Sequence, residues 1–338
     1  MSATMRDVAR LAGVSVKTVS NVVNDFPHVS VATRTRVLAA ITELGYQMNF
    51  SARSLSKGRT GMLTLAVPSL RLPYFAELTD EVILAAGERG YTVLVEQTGG
   101  VHERELEVLS SDRRRMTDGL ILSPLGLRPG DEPRLEVGYP LVLLGERPLH
   151  GDVDHVAMAN VAGARAVTEH LLARGRRHIV LVGSYDQRGA GAGSLRTQGF
   201  LDALHAAGLE HDPAGTGAAL EWTRATGADA MRRLLDRGVE VDAVFGLNDV
   251  LALGAMRVLF ERGLRVPDDV AVAGFDDIED GRFARPSLTT VQPGRAEIAR
   301  TAVDLLMDRL SDNPARPPGE EVVVAHRLLV RESTGQGR

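Results

Sequence analysis

The sequence has no cysteine, only two lysines among its 39 basic residues, and no apolar run long enough to cross a bilayer. Without cysteine there is no disulfide framework, no thiolate zinc site and no cysteine nucleophile. The opening MSATMRDVARLAGV carries Arg6 and Asp7 where a secretory signal needs an apolar core, so a cytoplasmic location is expected. Complete phosphate-binding motifs are missing: GAGAG from Gly189 follows an apolar run, but neither a full G-x-G-x-x-G nor a Walker pattern occurs. The nine histidines show no ligand spacing, and the acidic run Asp276, Asp277, Glu279, Asp280 has no activated nucleophile beside it. A protein without metal or cofactor, and not an enzyme, is expected. At roughly 150 residues per domain, the 338 residues suggest about two domains.

The formal net charge of -5 argues mildly against nucleic acid until it is divided. Residues 1–61 hold eight basic and three acidic side chains, a net of +5; the rest holds 31 basic and 41 acidic, a net of -10. A positive head precedes a negative body. Charge alone leaves the head either a solvated face or a nucleic-acid reader.

The body alternates. Apolar runs MLTLAV (from Met62), TVLVEQ (Thr92), GLILS (Gly119), PLVLLG (Pro140), HIVLVG (His178), AVFGL (Ala243) and VAVAGF (Val270) have strand length and β-branched content. Amphipathic stretches between several of them stop at Gly90, Gly175, Gly208, Gly238 and Gly263, as helices do. Strand, helix, glycine, strand predicts parallel α/β layers.

In the head, Thr4 and Asp7 suit a capping box for a helix with Met5, Val8, Ala9 and Ala12 on one face and a stop at Gly13. Ser15 caps a second helix that turns Val19, Val22 and Val23 inward and Val16, Lys17, Ser20 and Asn21 outward. A third helix from near Ser30 is expected to bury Val37, Leu38, Ile41 and Leu44 and to end at Gly45. This is the form of a helix-turn-helix, whose second helix enters the major groove; any small helical bundle shares the periodicity.

MRDVARLAGVSVKTVSNVVN, from Met5 to Asn24, resembles the DNA-binding signature of the lactose-repressor (LacI/GalR) family of bacterial transcription regulators. ELGY from Glu43 and SARSL from Ser51 match its next landmarks. PYFAE from Pro73, the GF after Arg196, NDVLALGAM from Asn248, GLRVPDDVAVAGFDD from Gly263, PSLTTV from Pro286 and VRES near the end extend the likeness over nearly the whole chain. The resemblance implies that Val16, Lys17 and Asn21 read bases, and the chemistry is apt. Lysine donates to guanine, asparagine pairs with adenine, and valine touches a thymine methyl. Thr18, Ser20, Asn24 and Arg34 suit phosphates. SARSLSKGR is too short for a stable isolated helix. By resemblance it is a hinge helix that orders on operator DNA, with Leu55 between Arg53 and Lys57 as a minor-groove wedge. Met48 stands where relatives often have proline.

In parallel sheets ligands gather beyond the carboxyl ends of strands. Tyr74, Phe75, Arg196, Trp222, Asn248 and Asp276 fall, by resemblance, on positions that contact a small-molecule effector. Aromatic faces with Arg, Asn and Asp suit a sugar, while two aromatics could also sandwich a purine. The resemblance implies an α/β chain with an N-terminal helix-turn-helix domain (1–46), a hinge (47–61) and a bilobed periplasmic-binding-protein-like core with parallel sheets (62–338). The first lobe is expected at about 62–160 and 291–321, the second at about 161–290 and 322–338. The expected protein is an effector-responsive repressor of carbohydrate-utilisation genes. As a homodimer it would bind pseudo-palindromic double-stranded operator DNA, with no membrane partner. A purine-responsive repressor and, further off, a soluble sugar-binding protein or an enzyme are the alternatives.

Overall fold

The computed structural model describes residues 3–23, 26–46, 59–110, 116–146, 152–183, 191–311 and 318–335. They fall into two compact units, Met1–Thr60 and Gly61–Arg338.

The first unit holds α1 (Met5–Ala12), α2 (Val16–Val23) and α3 (Val31–Glu43). Thr4 caps α1 reciprocally: its hydroxyl accepts from the Asp7 amide, and the Asp7 carboxylate accepts from the Thr4 amide at 3.0 Å. The chain leaves α1 through Gly13 at φ +65°, a left-handed conformation that glycine adopts freely. The Ser15 hydroxyl then accepts from the Thr18 amide at 3.1 Å and starts α2. Val8, Ala9, Ala12, Val19, Val22, Val37 and Ala40 form one core. Leu38 of the third helix and Leu44 just beyond its end differ from expectation, because both are exposed. Val37, Ala40 and Ile41 are spaced as a single helical stripe; Leu38 lies one residue, about 100° of rotation, off it.

The second unit contains two six-stranded sheets. Its elements run β1 (Met62–Val67), α4 (Pro73–Gly87), β2 (Thr92–Gln97), α5 (His102–Ser110), β3 (Gly119–Leu122), β4 (Leu141–Leu144), β5 (Asp154–Met158), α6 (Asn160–Ala173), β6 (Ile179–Val182), α7 (Ala192–Ala206), β7 (Thr216–Gly217) and α8 (Arg224–Asp236). The chain continues through β8 (Ala243–Gly246), α9 (Asp249–Glu261), β9 (Ala271–Phe275), α10 (Glu279–Phe283), β10 (Thr289–Gln292), α11 (Arg295–Leu310), β11 (Glu321–Val324) and β12 (Arg327–Leu329). The first sheet has the order β11-β5-β4-β3-β1-β2 and the second β12-β10-β9-β8-β6-β7; every pairing is parallel except β10 with β12. All seven apolar runs became strands.

The chain passes between the sheets at Ala159, at residues 293–294 and at residues 325–326. The last passage lies beyond the expected position near Glu321, because Glu321–Val324 pairs with β5 in the first sheet. Close helix packing rests on glycine at the α6–α7 contact, where a Cβ on Gly199 would lie 2.1 Å from the Val161 carbonyl oxygen. None of the described helices is long and apolar enough to cross a membrane.

Candidate functional site

The carboxyl end of β9 supplies the centre of the site. Beyond Phe275 the chain turns through Asp276 and Asp277 at φ +113° and +52°, values that side-chain-bearing residues seldom take. The Asp276 amide donates to the Val291 carbonyl at 2.9 Å, so β10 fixes where the turn begins. Asp277 is wholly buried and points away into structure: Arg282, Arg331 at 2.5 Å and the Gln292 amide donate to its carboxylate. Asp249, also fully buried, accepts from Thr290 Oγ1 at 2.6 Å and from the Ile278 amide at 3.0 Å. Burial, then the neighbouring Asp276 charge, raises its carboxyl well above the ordinary range.

Asp276 itself faces Arg196, which enters from the second turn of α7. The guanidinium is 2% exposed, and Asp276 Oδ1 lies 3.2 Å from its Nη2. Its other nitrogens are also engaged: Nε donates to Asn160 Oδ1 at 2.7 Å and Nη1 to the Leu247 carbonyl at 2.6 Å. The Phe275 ring lies 3.7 Å from the guanidinium carbon and the Trp222 ring 5.5 Å, so aromatic faces flank the cation. Burial pushes the Asp276 carboxyl up to about 6 in spite of Arg196 and Arg295, and the Glu146 carboxylate adds to the rise.

From the first lobe, Tyr74 is buried at the first turn of α4, edge-on to Phe75 with ring centroids 5.2 Å apart. Burial, then the charges of Glu146 and Asp276, raises its phenol far above the usual value. Glu146 follows β4 at its carboxyl end, and its Oε1 is buried with no hydrogen-bond partner. Such an atom pays a desolvation cost until a donor arrives.

The structure thus brings Tyr74, Arg196, Trp222 and Asp276 together, with Phe75 beside Tyr74. Asn248 is at the same strand end, where its Oδ1 accepts from the Leu251 amide at 3.0 Å and caps α9. Its side-chain NH2 is left to donate to a ligand. Glu146, Asn160, Phe275 and Arg295 escaped the sequence reading. All but Arg295 sit at carboxyl ends of strands or just beyond, the criterion that selected the others.

In the first unit, Val16 and Lys17 are exposed at the start of α2, while Thr18, Ser20 and Asn21 are half-buried. Thr18 Oγ1 lies 2.9 Å from the Ser15 hydroxyl. Arg34 donates to the Phe26 carbonyl at 3.1 Å. Asn24, Arg53, Leu55 and Lys57 lie outside the described residues.

Residues 4–49 match the family described as bacterial regulatory proteins, lacI family, and residues 168–334 match the periplasmic binding protein-like domain. The chain is 38% identical over 342 residues to the HTH-type transcriptional regulator CelR of Thermobifida fusca, covering 98% of both proteins. It belongs to the lacI family of bacterial regulatory proteins. This lacI-family chain also superposes on a putative LacI-family regulator from Sanguibacter keddieii with a TM-score of 0.77 at 51% identity, covering 82% of this chain and all of that one. The CelR–cellobiose complex gives a TM-score of 0.70 at 36% identity, covering 98% and 99%. The lac repressor dimer bound to operator gives 0.84 at 28%, covering 99% and 100%. As a member of the family this protein is a ligand-responsive, DNA-binding transcriptional repressor and not an enzyme.

Proposed function

We propose that this regulator represses carbohydrate-utilisation genes in the cytoplasm, and that its effector is a sugar bound between the lobes by Tyr74, Phe75, Arg196, Trp222, Asn248 and Asp276. The observation that carries the reading is the polar balance of the site. Each nitrogen of Arg196 already meets a protein acceptor, whereas Glu146 Oε1 is buried and has no donor. A ligand rich in hydroxyl donors satisfies Glu146 and Asp276, and the Trp222 and Phe75 faces cover its C–H surface. That the related CelR structure holds cellobiose supports the same ligand class.

On the DNA side, Val16, Lys17 and Asn21 read base edges, and Thr18, Ser20, Asn24 and Arg34 contact phosphates. Residues 47–61 form the hinge, with Leu55 as the wedge between Arg53 and Lys57. A homodimer presents two such heads to a pseudo-palindromic operator. An uncovered apolar surface on the first lobe supports self-association: Ile83 and Leu84 of α4 and Leu94 and Val95 of the edge strand β2 are exposed, Leu84 by 64%. Exposed apolar side chains of this kind are what a subunit interface covers.

A thermal-shift panel of cellobiose, ribose, adenosine and hypoxanthine, repeated on Asp276→Ala and Arg196→Ala, tests the sensor. Stabilisation by a sugar that both substitutions abolish is expected. Stabilisation by the purines alone would replace the sugar with a nucleobase, and a stabiliser indifferent to both substitutions would move the site. A gel shift on a palindromic fragment of the protein's own promoter tests the head, and the shift should weaken steeply with salt.

A further inference from the structure

Two first-lobe side chains hold the backbone on which Asp276 stands. Arg295 opens α11, a helix packed on α4 and on strands β3, β4 and β5 of the first sheet. One of its terminal nitrogens donates to the Asp276 carbonyl and the other to the Asp277 carbonyl at 2.9 Å. These are the two residues at positive φ, whose turn needs an outside partner to persist. Glu77 of α4 meets the Arg295 guanidinium at 2.5 Å, and its other carboxylate oxygen accepts from the Glu279 amide at 2.9 Å. Asp276, Asp277 and Glu279 all follow β9 in the second lobe. One ion pair on the first lobe therefore clasps three backbone groups of the second.

We propose that Glu77 and Arg295 form a latch between the lobes and act as positioning residues for effector binding. Any change in lobe angle that moves α4 and α11 against the end of β9 must alter these three bonds, and with them the direction of the Asp276 carboxylate. Conversely, a ligand that fixes Asp276 fixes the lobe angle, because coupling between two sites is reciprocal. The latch is thus a route by which occupancy of the site is felt in the first lobe. The inference rests on the reading of Asp276 as an effector contact.

The test uses the full-length chain with Arg295→Met and Glu77→Gln. The first readout needs no effector: urea stability is followed against pH. The charged and titratable groups acting on Asp276 are Arg196, Arg295, Glu146, Tyr74 and Asp249. Removing Arg295 takes away one of its two cations, so the Asp276 midpoint should move upward. The second readout is a cellobiose titration. Arg295→Met should weaken binding by about tenfold or more, Glu77→Gln should weaken it less, and Arg295→Lys, which can still serve one carbonyl, should recover part of the loss. If Arg295→Met does not fold, Glu77→Gln carries the test, since its amide oxygen still accepts from Glu279 while the acceptor and charge facing Arg295 are lost. A pH midpoint and a cellobiose affinity both equal to the wild type would overturn the latch. Cellobiose indifferent to the wild type, with the midpoint moved, would leave the latch standing and reject the cellobiose reading.

Discussion

Replacing Asp276 by asparagine should stabilise the ligand-free protein at neutral pH and leave it unchanged in acid. Asp276 ionises near 3.8 in an unfolded chain and at about 6 when folded. The native state therefore binds more protons than the unfolded state between those values, so stability falls as pH rises through the window. The difference of roughly two pKa units, at 1.36 kcal/mol each, amounts to about 3 kcal/mol. Below pH 4 the protonated acid and the amide are both neutral, and the two proteins should unfold together. Above pH 6.5 the wild type should be weaker by up to that amount. Asp249 acts in the same direction, since the Asp276 charge is one cause of its raised value and the substitution removes it. His170 and His211, both lowered chiefly by burial, act oppositely in each protein and cancel in the difference. Urea midpoints of both proteins at half-unit steps from pH 4 to 7 would measure the curve. A difference that is flat, or that favours the wild type as pH rises, refutes the reasoning that burial outweighs Arg196 at this carboxylate.

Other expectations concern packing, charge and DNA. Arg309 and Asp154 form a buried ion pair on the first sheet, with two bonds, one of them at 2.5 Å; Arg309→Met should cost about 3–5 kcal/mol by stranding the carboxylate, and a loss below 1 kcal/mol in denaturant titration would contradict this. Gly199→Ala must push α7 off the Val161 carbonyl and should lower stability by about 1–3 kcal/mol; an unchanged melting temperature would show that the helices give way freely. Lys17→Ala should cost about 1–3 kcal/mol on the cognate site and relax preference at one base pair, whereas a loss equal on all sequences would make Lys17 a phosphate contact. Leu55→Ala should weaken specific binding much more than non-specific binding, and equal losses would reject the wedge.

Local patterns were legible in the sequence. The capping box at Thr4 and Asp7, the stops at Gly13 and Gly90, and the seven apolar strands all depend on neighbours a few residues apart. The strands that were missed have weak local signals. β5 begins with Asp154 and His155, and Asp154 is tolerated there only because Arg309, far along the chain, neutralises it. β10 to β12 are short, and β7 has two residues. Glu105 is similar: on a charged helix it reads as solvent-facing, yet it is fully buried and accepts three backbone amides of residues 125–127.

The sequence by itself determined a basic three-helix head and an acidic α/β body with its strands in order, because period, caps and charge are properties of adjacent residues. Tertiary structure alone decided which strands share a sheet, where the chain last passes between lobes, and how Asp276 is held. Arg196, Glu146 and Arg295 come from three separate segments, and their convergence around Asp276 depends on lobe packing. A propensity acts within a few residues; a buried charge is settled only by the partners the fold delivers to it.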